Sequence, residues 1–307
     1  MGKIAFLFSG QGAQYPGMGQ SLCEASPAAK AVFDLADRIR PGTAEQCFGG
    51  TKEELSMTKN TQPCVYCVDL AAAEALKEQG ITPDAVAGFS LGEVAALTFS
   101  GVLTPEDGFR LVCKRAAFME EATQQTGGGM AAVLKLRDEQ VEELCRAHQN
   151  VYPVNYNCPG QVSVAGEKAE LDALCKDVQA AGGRAVPLAV SGAFHSPFMD
   201  TAAEQMAEEL QQVSVHAPEL PLYANYTASR YPAEEAGIKE NIAKQVNHPV
   251  PWQAILRKLD AEGFTDFVEV GPGKTLSGLV KKTLPKATVC RVEDAETLRA
   301  AVEQLKR

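Results

Sequence analysis

Short apolar runs alternate with segments of helical periodicity along this chain. The runs Lys3 to Phe8, Ala85 to Ala87 and Asp266 to Val270 predict buried strands. Helices are expected to begin at Ser26-Pro27 and Thr104-Pro105, where a capping hydroxyl precedes a proline at the first helical position. Strands that alternate with helices in this way predict an α/β fold with a largely parallel sheet.

The predicted helices have approximate ends. The helix that begins at Pro27 is expected to end near Arg40, and the one that begins at Thr104 is expected to continue through Glu121. A further helix is expected from about Pro63 to Glu78. Thr51 and Glu54 have the spacing of a capping box, which marks one more helix start.

The pattern changes at Gly127. From there the periodicity predicts two helices and four strands in the order β-α-β-β-α-β, which is the ferredoxin-like unit. The strands are Met130 to Leu136, Val151 to Tyr156, Gln161 to Ala165 and Arg184 to Val190, and the helices are Asp138 to His148 and Glu167 to Ala181. We therefore predict a small domain over residues 127–195, inserted into a large domain formed by residues 1–126 and 196–307.

Composition excludes several classes of function. The 307 residues carry a net charge of -10 and no basic tract, which argues against nucleic acid as a partner. The apolar run Ile4 to Phe8 is too short for a signal sequence or a membrane span, so we expect a cytoplasmic protein that does not insert into a membrane. Nine irregularly spaced cysteines fit a reducing compartment. Cys64 and Cys67 form an isolated C-x-x-C pair, for which buried helical thiols are favoured over a zinc or redox site.

The segment Gly88-Phe89-Ser90-Leu91-Gly92 has the pattern of a nucleophile elbow. It follows a predicted strand and precedes a helix expected over Glu93 to Ser100. Glycines two residues before and after a serine permit a tight strand-to-helix turn, which would expose the Ser90 hydroxyl. The same pentapeptide also occurs in ordinary tight turns, but the strand-turn-helix context favours a catalytic serine. The large domain is accordingly expected to be α/β-hydrolase-like.

A serine nucleophile needs a base, and the chain has four histidines. His148, His216 and His248 are expected to be surface or structural residues. His195 follows a predicted strand through a glycine-containing loop, at the edge where α/β sheets collect site residues, and is the candidate base. Gly10-Gln11-Gly12 lacks the spacing of a phosphate-binding loop, so it is either an ordinary turn or the source of a backbone N–H for an oxyanion hole, which the Leu91 N–H would complete.

Several motifs, taken together, resemble those of malonyl-CoA:acyl carrier protein transacylases over nearly the whole chain. They occur here in the same order, and they are Gly10 to Gln14, Gly88 to Glu93, Arg115 to Met119, Asn155 to Gln161, Gly192 to Ser196, Asn247 to Trp252 and Glu269 to Lys274. The resemblance also implies the inserted ferredoxin-like unit. It implies malonyl transfer from malonyl-CoA to an acidic acyl carrier protein that docks transiently, with no metal or bound cofactor.

The resemblance implies a role for each matching residue. Ser90 would be acylated and His195 would be its base, while the N–H groups of Gln11 and Leu91 would form the oxyanion hole. Arg115 would bind the free malonyl carboxylate; without the resemblance, a solvent-facing arginine beside Lys114 is the alternative. A backbone carbonyl near Gln245 would orient the histidine.

This chain departs from the family pattern at three positions: Phe89 stands where histidine is common, and Ala13 and Cys158 stand where serine is common. Two other functions remain open at this stage. A thioesterase would share the elbow but release the acyl group to water, and a carrier-docking module would need no intact site. A docking patch for an acidic carrier could lie at Lys274, Lys281, Lys282 and Lys286, by clustering alone.

Overall fold

Across residues 2–306, which the computed structural model describes, nine strands form two sheets surrounded by fourteen α-helices. The strands are β1 (Lys3–Phe8), β2 (Ala85–Gly88), β3 (Gly129–Leu134), β4 (Val151–Cys158), β5 (Gln161–Gly166), β6 (Arg184–Pro187), β7 (Leu222–Tyr223), β8 (Phe264–Val270) and β9 (Thr288–Val292). The helices are α1 (Gln20–Ala25), α2 (Pro27–Ile39), α3 (Thr43–Gly49), α4 (Lys52–Ser56), α5 (Thr58–Glu78), α6 (Gly92–Phe99), α7 (Pro105–Thr126), α8 (Asp138–Arg146), α9 (Lys168–Ala180), α10 (Asp200–Glu209), α11 (Glu235–Lys244), α12 (Trp252–Ala261), α13 (Thr275–Thr283) and α14 (Ala295–Leu305).

The larger sheet is parallel throughout, with the strand order β7-β2-β1-β8-β9. β1 lies at its centre, with Ala5 opposite both Ala85 and Phe267. Parallel strands bring their carboxyl ends to one edge, so the loops after β1, β2 and β8 converge there. The predicted α/β fold is confirmed, and this edge is where the site lies.

The smaller sheet is antiparallel, with the order β4-β5-β3-β6. With α8 and α9 it has the predicted β-α-β-β-α-β sequence and the ferredoxin-like strand order. Reciprocal backbone hydrogen bonds join β4 to the loop between α11 and α12: Val250 N donates to Val154 O at 2.7 Å, and Tyr156 N donates to Val250 O at 3.0 Å. The domain boundaries at residues 126/127 and 195/196 remain a prediction.

Most predicted element ends agree with the structure to within two residues, but three of them differ by three residues or more. Helix α5 begins at Thr58 rather than Pro63: Lys59 N in its first turn donates to Glu120 Oε2 at 2.9 Å, and the helix continues through Pro63 near its start. Helix α7 continues past Glu121 to Thr126 and ends where Gly127 adopts a positive φ of 69°. Strand β6 ends at Pro187 rather than Val190, which leaves the following residues free to line a cavity.

Helix α5 is largely buried, and this explains why its two cysteines are buried thiols. The helix is apolar on most sides and packs between the larger sheet and α2, α6 and α7, so both Cys64 and Cys67 are buried and unpaired. Among residues 2–306, no helix has the length and apolarity needed to cross a bilayer.

Candidate active site

Ser90 lies in the predicted turn, between the end of β2 and the start of α6, with a positive φ of 54°. A side chain on Gly88 would place its Cβ 2.0 Å from the Gly92 carbonyl carbon, and one on Gly92 would approach Phe8 O to 2.3 Å. Both glycines are therefore required for the turn to pack against β1. A non-glycine residue at positive φ is strained, and such strain persists only where the surroundings hold it.

Two amide side chains provide that restraint. Asn225 Oδ1 accepts from Ser90 N at 2.8 Å, and Asn225 Nδ2 donates to Gly88 O at 2.7 Å. Gln245 Nε2 donates to Ser90 O at 2.6 Å. Asn225 follows the short strand β7, and its amide continues the β2–β7 ladder where backbone pairing ends. Both backbone polar groups of the strained serine are thus fixed by residues far away in the sequence.

Asn225 is itself anchored by a buried acid. Its N–H donates to Glu93 Oε2 at 2.6 Å, and the Tyr231 hydroxyl donates to Glu93 Oε1 at 2.5 Å. Burial raises the pKa of Glu93 to about 7, although the two donors and Arg115 oppose that rise. Neither Asn225 nor Glu93 is among the site residues predicted from the sequence. The only sequence signal for Asn225 is its position at the end of the short apolar run Leu222 to Ala224.

His195 faces Ser90 as predicted, with Nε2 2.8 Å from Ser90 Oγ. Its Nδ1 lies 3.0 Å from Gln245 O and 3.2 Å from His248 O. Carbonyl oxygens only accept, so Nδ1 carries the proton and Nε2 presents its lone pair to the serine hydroxyl. The carbonyl at Gln245 lies where the resemblance implied, and His248, expected to be merely structural, adds a second one.

Burial sets the charge state of the histidine. His195 is 3% exposed, and burial together with the positive charge of Arg115 lowers its pKa to about 4. The imidazole is therefore neutral at pH 7. A neutral ring with a free Nε2 lone pair can accept a proton from Ser90.

Arg115 points inward from α7 and is 1% exposed, so the alternative of a solvent-facing arginine is excluded. Its Nη2 donates to Ser90 Oγ at 3.1 Å and to Gln245 Oε1 at 2.8 Å, and its Nη1 donates to Gln62 Oε1 at 2.7 Å. Burial lowers the Arg115 pKa to about 10, so the group stays charged at pH 7. Within residues 2–306 no carboxylate forms an ion pair with this guanidinium, whose acceptors are two neutral amides and a hydroxyl.

The two amides assigned to the oxyanion hole belong to the loops beside Ser90. Leu91 N precedes the first turn of α6, and Gln11 N belongs to the glycine turn after β1. Neither N–H has a protein acceptor in the part of the chain that the structure describes. Unpaired donors of this kind can stabilise charge on a reacting oxygen.

A cavity of about 90 Å³ lies in front of Ser90 and His195. Its polar wall includes Gln11 and Gln62, and its remaining wall is largely apolar. The other lining residues are Phe89, Met119, Met130, Asn155, Leu188, Val190 and Phe194. A small acyl group fits this volume, with its carbonyl near the nucleophile.

Comparisons with known proteins identify the family. The model of the acyl transferase domain matches residues 5–304. The chain is 42% identical to the malonyl CoA-acyl carrier protein transacylase of Bacillus subtilis, over all of this chain and 98% of the relative. The chain belongs to the malonyl-CoA:acyl carrier protein transacylase family.

Solved transacylase structures have the same fold. The Clostridium perfringens transacylase superposes with a TM-score of 0.95 at 37% identity, covering 99% of this chain and 97% of that one. A malonyl-transacylase solved with its type II polyketide carrier protein, PlMCAT:AntF, superposes equally well, with a TM-score of 0.95 at 32% identity, covering 98% of this chain and 99% of that one.

Proposed function

We propose that this transacylase moves the malonyl group of malonyl-CoA to the phosphopantetheine thiol of an acyl carrier protein through a malonyl ester on Ser90. The observation that carries the proposal is the contact between the nucleophile and the buried cation. Arg115 Nη2 lies 3.1 Å from Ser90 Oγ, opposite the 2.8 Å contact of Ser90 Oγ with His195. A dicarboxylic thioester would supply the carboxylate that this cation lacks.

In the first half-reaction, Ser90 Oγ attacks the thioester carbonyl as His195 Nε2 takes the hydroxyl proton. The N–H groups of Gln11 and Leu91 stabilise the oxyanion, and each donor is worth about 3 to 4 kcal/mol of barrier. Collapse of the tetrahedral intermediate expels the CoA thiolate, which takes the proton from His195. The carbonyl oxygens of Gln245 and His248 hold the imidazole throughout, in the place that a carboxylate occupies in Ser-His-Asp triads.

In the second half-reaction, the carrier thiol gives its proton to His195 and attacks the malonyl ester, and Ser90 leaves with that proton. The chemistry requires no metal or bound cofactor, since serine, imidazole and backbone N–H groups supply the nucleophile, base and oxyanion donors. The product serves fatty acid or polyketide synthesis. Nine free thiols fit a reducing compartment, and we place the reaction in the cytoplasm.

Arg115 selects the substrate. Its planar guanidinium can donate to both malonate oxygens in place of the amide oxygens of Gln62 and Gln245, a bidentate geometry that lysine lacks. An acetyl group would leave the cation with neutral partners only. The discrimination therefore comes from pairing a buried charge.

The experiment is intact-mass measurement after mixing with malonyl-CoA and, separately, acetyl-CoA. We expect the mass of one malonyl group on the wild-type chain, mapped to the Ser90 peptide, and its loss when a carrier protein is added. Release to water at the same rate with and without carrier would instead identify a thioesterase.

A further inference from the structure

A second cavity, of about 170 Å³, continues the one in front of Ser90. The two share four lining residues, Gln11, Phe89, Asn155 and Leu188. The second cavity runs between the β4–β5 hairpin and helix α13, where Gln161 faces Leu279 and the exposed Thr275. It therefore connects Ser90 to the surface where the β4–β5 hairpin of the smaller sheet meets helix α13, which packs on the larger sheet.

An unpaired acceptor lies where the two cavities join. Asn155 is 8% exposed, and its Oδ1 has no hydrogen-bond partner within residues 2–306. A buried amide oxygen without a donor is costly. A ligand with amide N–H groups, such as a pantetheine arm, would satisfy it on its way to Ser90.

Three lysines lie next to residues that line this cavity or to the β4–β5 hairpin. Lys282 Nζ donates to Gln161 Oε1 at 3.2 Å, and Lys274 directly precedes Thr275. Lys135 N donates to Gly160 O at 2.9 Å, which places this exposed lysine beside the same hairpin. None of the three forms an ion pair with another described residue, and the acid that lines the cavity, Glu269, is buried and accepts from Leu276 N and Ser277 N.

We infer that Lys135, Lys274 and Lys282, which together form a lysine rim, are the docking surface for the acidic carrier protein. The inference rests on the proposed function and adds to it the place where the partner binds. The chain carries a net charge of -10, so an acidic partner needs a local positive surface to approach. The lysine rim provides one at the mouth through which the partner's thiol arm must enter.

The position of Lys286 separates it from the rim. This lysine lines a groove with Phe264 and Asp260, at the amino-terminal end of β8, whereas Ser90 follows the carboxyl end of β2. The two lysines are close in the sequence, but Lys286 lies at the groove beside Phe264 whereas Lys282 contacts Gln161 of the β4–β5 hairpin. Lys286→Glu is therefore a matched control for Lys282→Glu: it makes the same charge change nearby in the sequence but at a different place on the surface.

The test separates the two half-reactions. Malonyl-enzyme is first prepared from malonyl-CoA and then mixed with either carrier protein or free pantetheine, a thiol with the arm but no protein. For Lys282→Glu we expect kcat/KM for carrier protein to fall about tenfold, with a much smaller change for pantetheine. For the wild type, added salt should slow transfer to the carrier far more than transfer to pantetheine.

Each other outcome overturns the inference. An equal loss of kcat/KM with carrier protein and with pantetheine would mean that Lys282 contacts the pantetheine arm and not the surface of the carrier protein. Unchanged transfer to the carrier, or an equal loss in Lys286→Glu, would place docking elsewhere or reduce the effect to overall charge. Failure of the proposed function is distinguishable, because it would appear earlier as an absence of malonyl-enzyme. Thermal melting of each variant checks folding.

Discussion

The two walls of the acyl cavity are built in different ways. Around Ser90, hydrogen bonds fix the nucleophile and its base: Asn225 and Gln245 hold the serine backbone, and two carbonyls hold His195. The opposite wall, from the small sheet and the segment after β6, presents Met130, Leu188 and Val190, which act by packing alone. The first wall carries the chemistry and the second one limits the size of the acyl group.

This difference predicts how substitutions divide. A hydrogen-bonded wall loses geometry when one partner is removed, so the rate of the chemical step falls. An apolar wall loses volume, so substrate choice changes while the chemical step continues. The predictions below test that division.

Removal of the nucleophile has the largest expected effect. Ser90→Ala leaves no group for His195 to activate, and we expect malonyl transfer to fall by about 10⁴-fold or more. Intact mass should detect no malonyl adduct. Ser56→Ala, an exposed serine at the end of α4, is the control and should acylate normally. A malonyl adduct on Ser90→Ala would assign the nucleophile to another residue.

Removal of the cation changes which donor is used. Arg115→Ala should lower kcat/KM for malonyl-CoA by about 10³-fold and leave acetyl-CoA much less affected, because only the malonyl group pairs with the guanidinium. Arg110→Ala, at an exposed position on the same helix, should keep the wild-type ratio. If the malonyl-to-acetyl ratio stays the same in Arg115→Ala, this arginine does not recognise the carboxylate.

Substitution of Asn225 tests whether its hydrogen bonds to the Ser90 turn support catalysis. Asn225→Ala removes the acceptor of Ser90 N and the donor to Gly88 O, and we expect kcat to fall about 10²-fold with little change in KM for malonyl-CoA. Asn225→Asp keeps the acceptor and should recover part of the loss. A purely structural role would instead lower the melting temperature and leave the kcat of the folded fraction unchanged. Gln125→Ala, which removes an exposed amide whose contact is with Glu121, is the control.

Local chemistry was visible in the sequence, and long-range pairing was not. The Ser90 turn could be predicted because its glycines, strand and helix lie within a few residues of one another. The restraint by Asn225 could not, since it joins residues 135 positions apart. The Gln245 carbonyl was expected only through family resemblance, because every residue has a carbonyl and no residue type marks the one that is used.

The errors in element ends have the same origin. The helix expected from about Pro63 begins at Thr58, and the added residues Thr58, Asn60 and Thr61 are buried in the fold. Leu188 and Val190 are apolar like strand residues, but they follow the last strand residue, Pro187, and line the cavity, although Leu188 N still donates to Met130 O of β3. Apolar character in a sequence does not distinguish a strand from a cavity wall.

The pH dependence tests the coupling between the cation and the base. The positive charge of Arg115 helps to hold the His195 pKa at about 4, so its removal should raise that pKa and move the acid limb of acetyl transfer to higher pH. The limb is measured with acetyl-CoA in wild type and in Arg115→Ala. The same lowered pKa means that His195 stabilises the fold fully above its ordinary value of 6.5, and that this stability is lost as the pH falls toward 4. An acid limb that does not move would mean that the two groups are electrostatically independent.

The smallest effect is expected on the apolar wall. Leu188 is tied to the small sheet by its N–H, which donates to Met130 O at 2.9 Å, so Leu188→Ala should enlarge the cavity without moving the backbone. We expect malonyl transfer to change by less than about threefold, while kcat/KM for a malonyl thioester with an added α-methyl group rises about tenfold. Val289→Ala, on β9 and outside the cavity, should change neither rate. A large loss of malonyl transfer in Leu188→Ala would show that this wall also positions the reacting group, and the division between the two walls would fail.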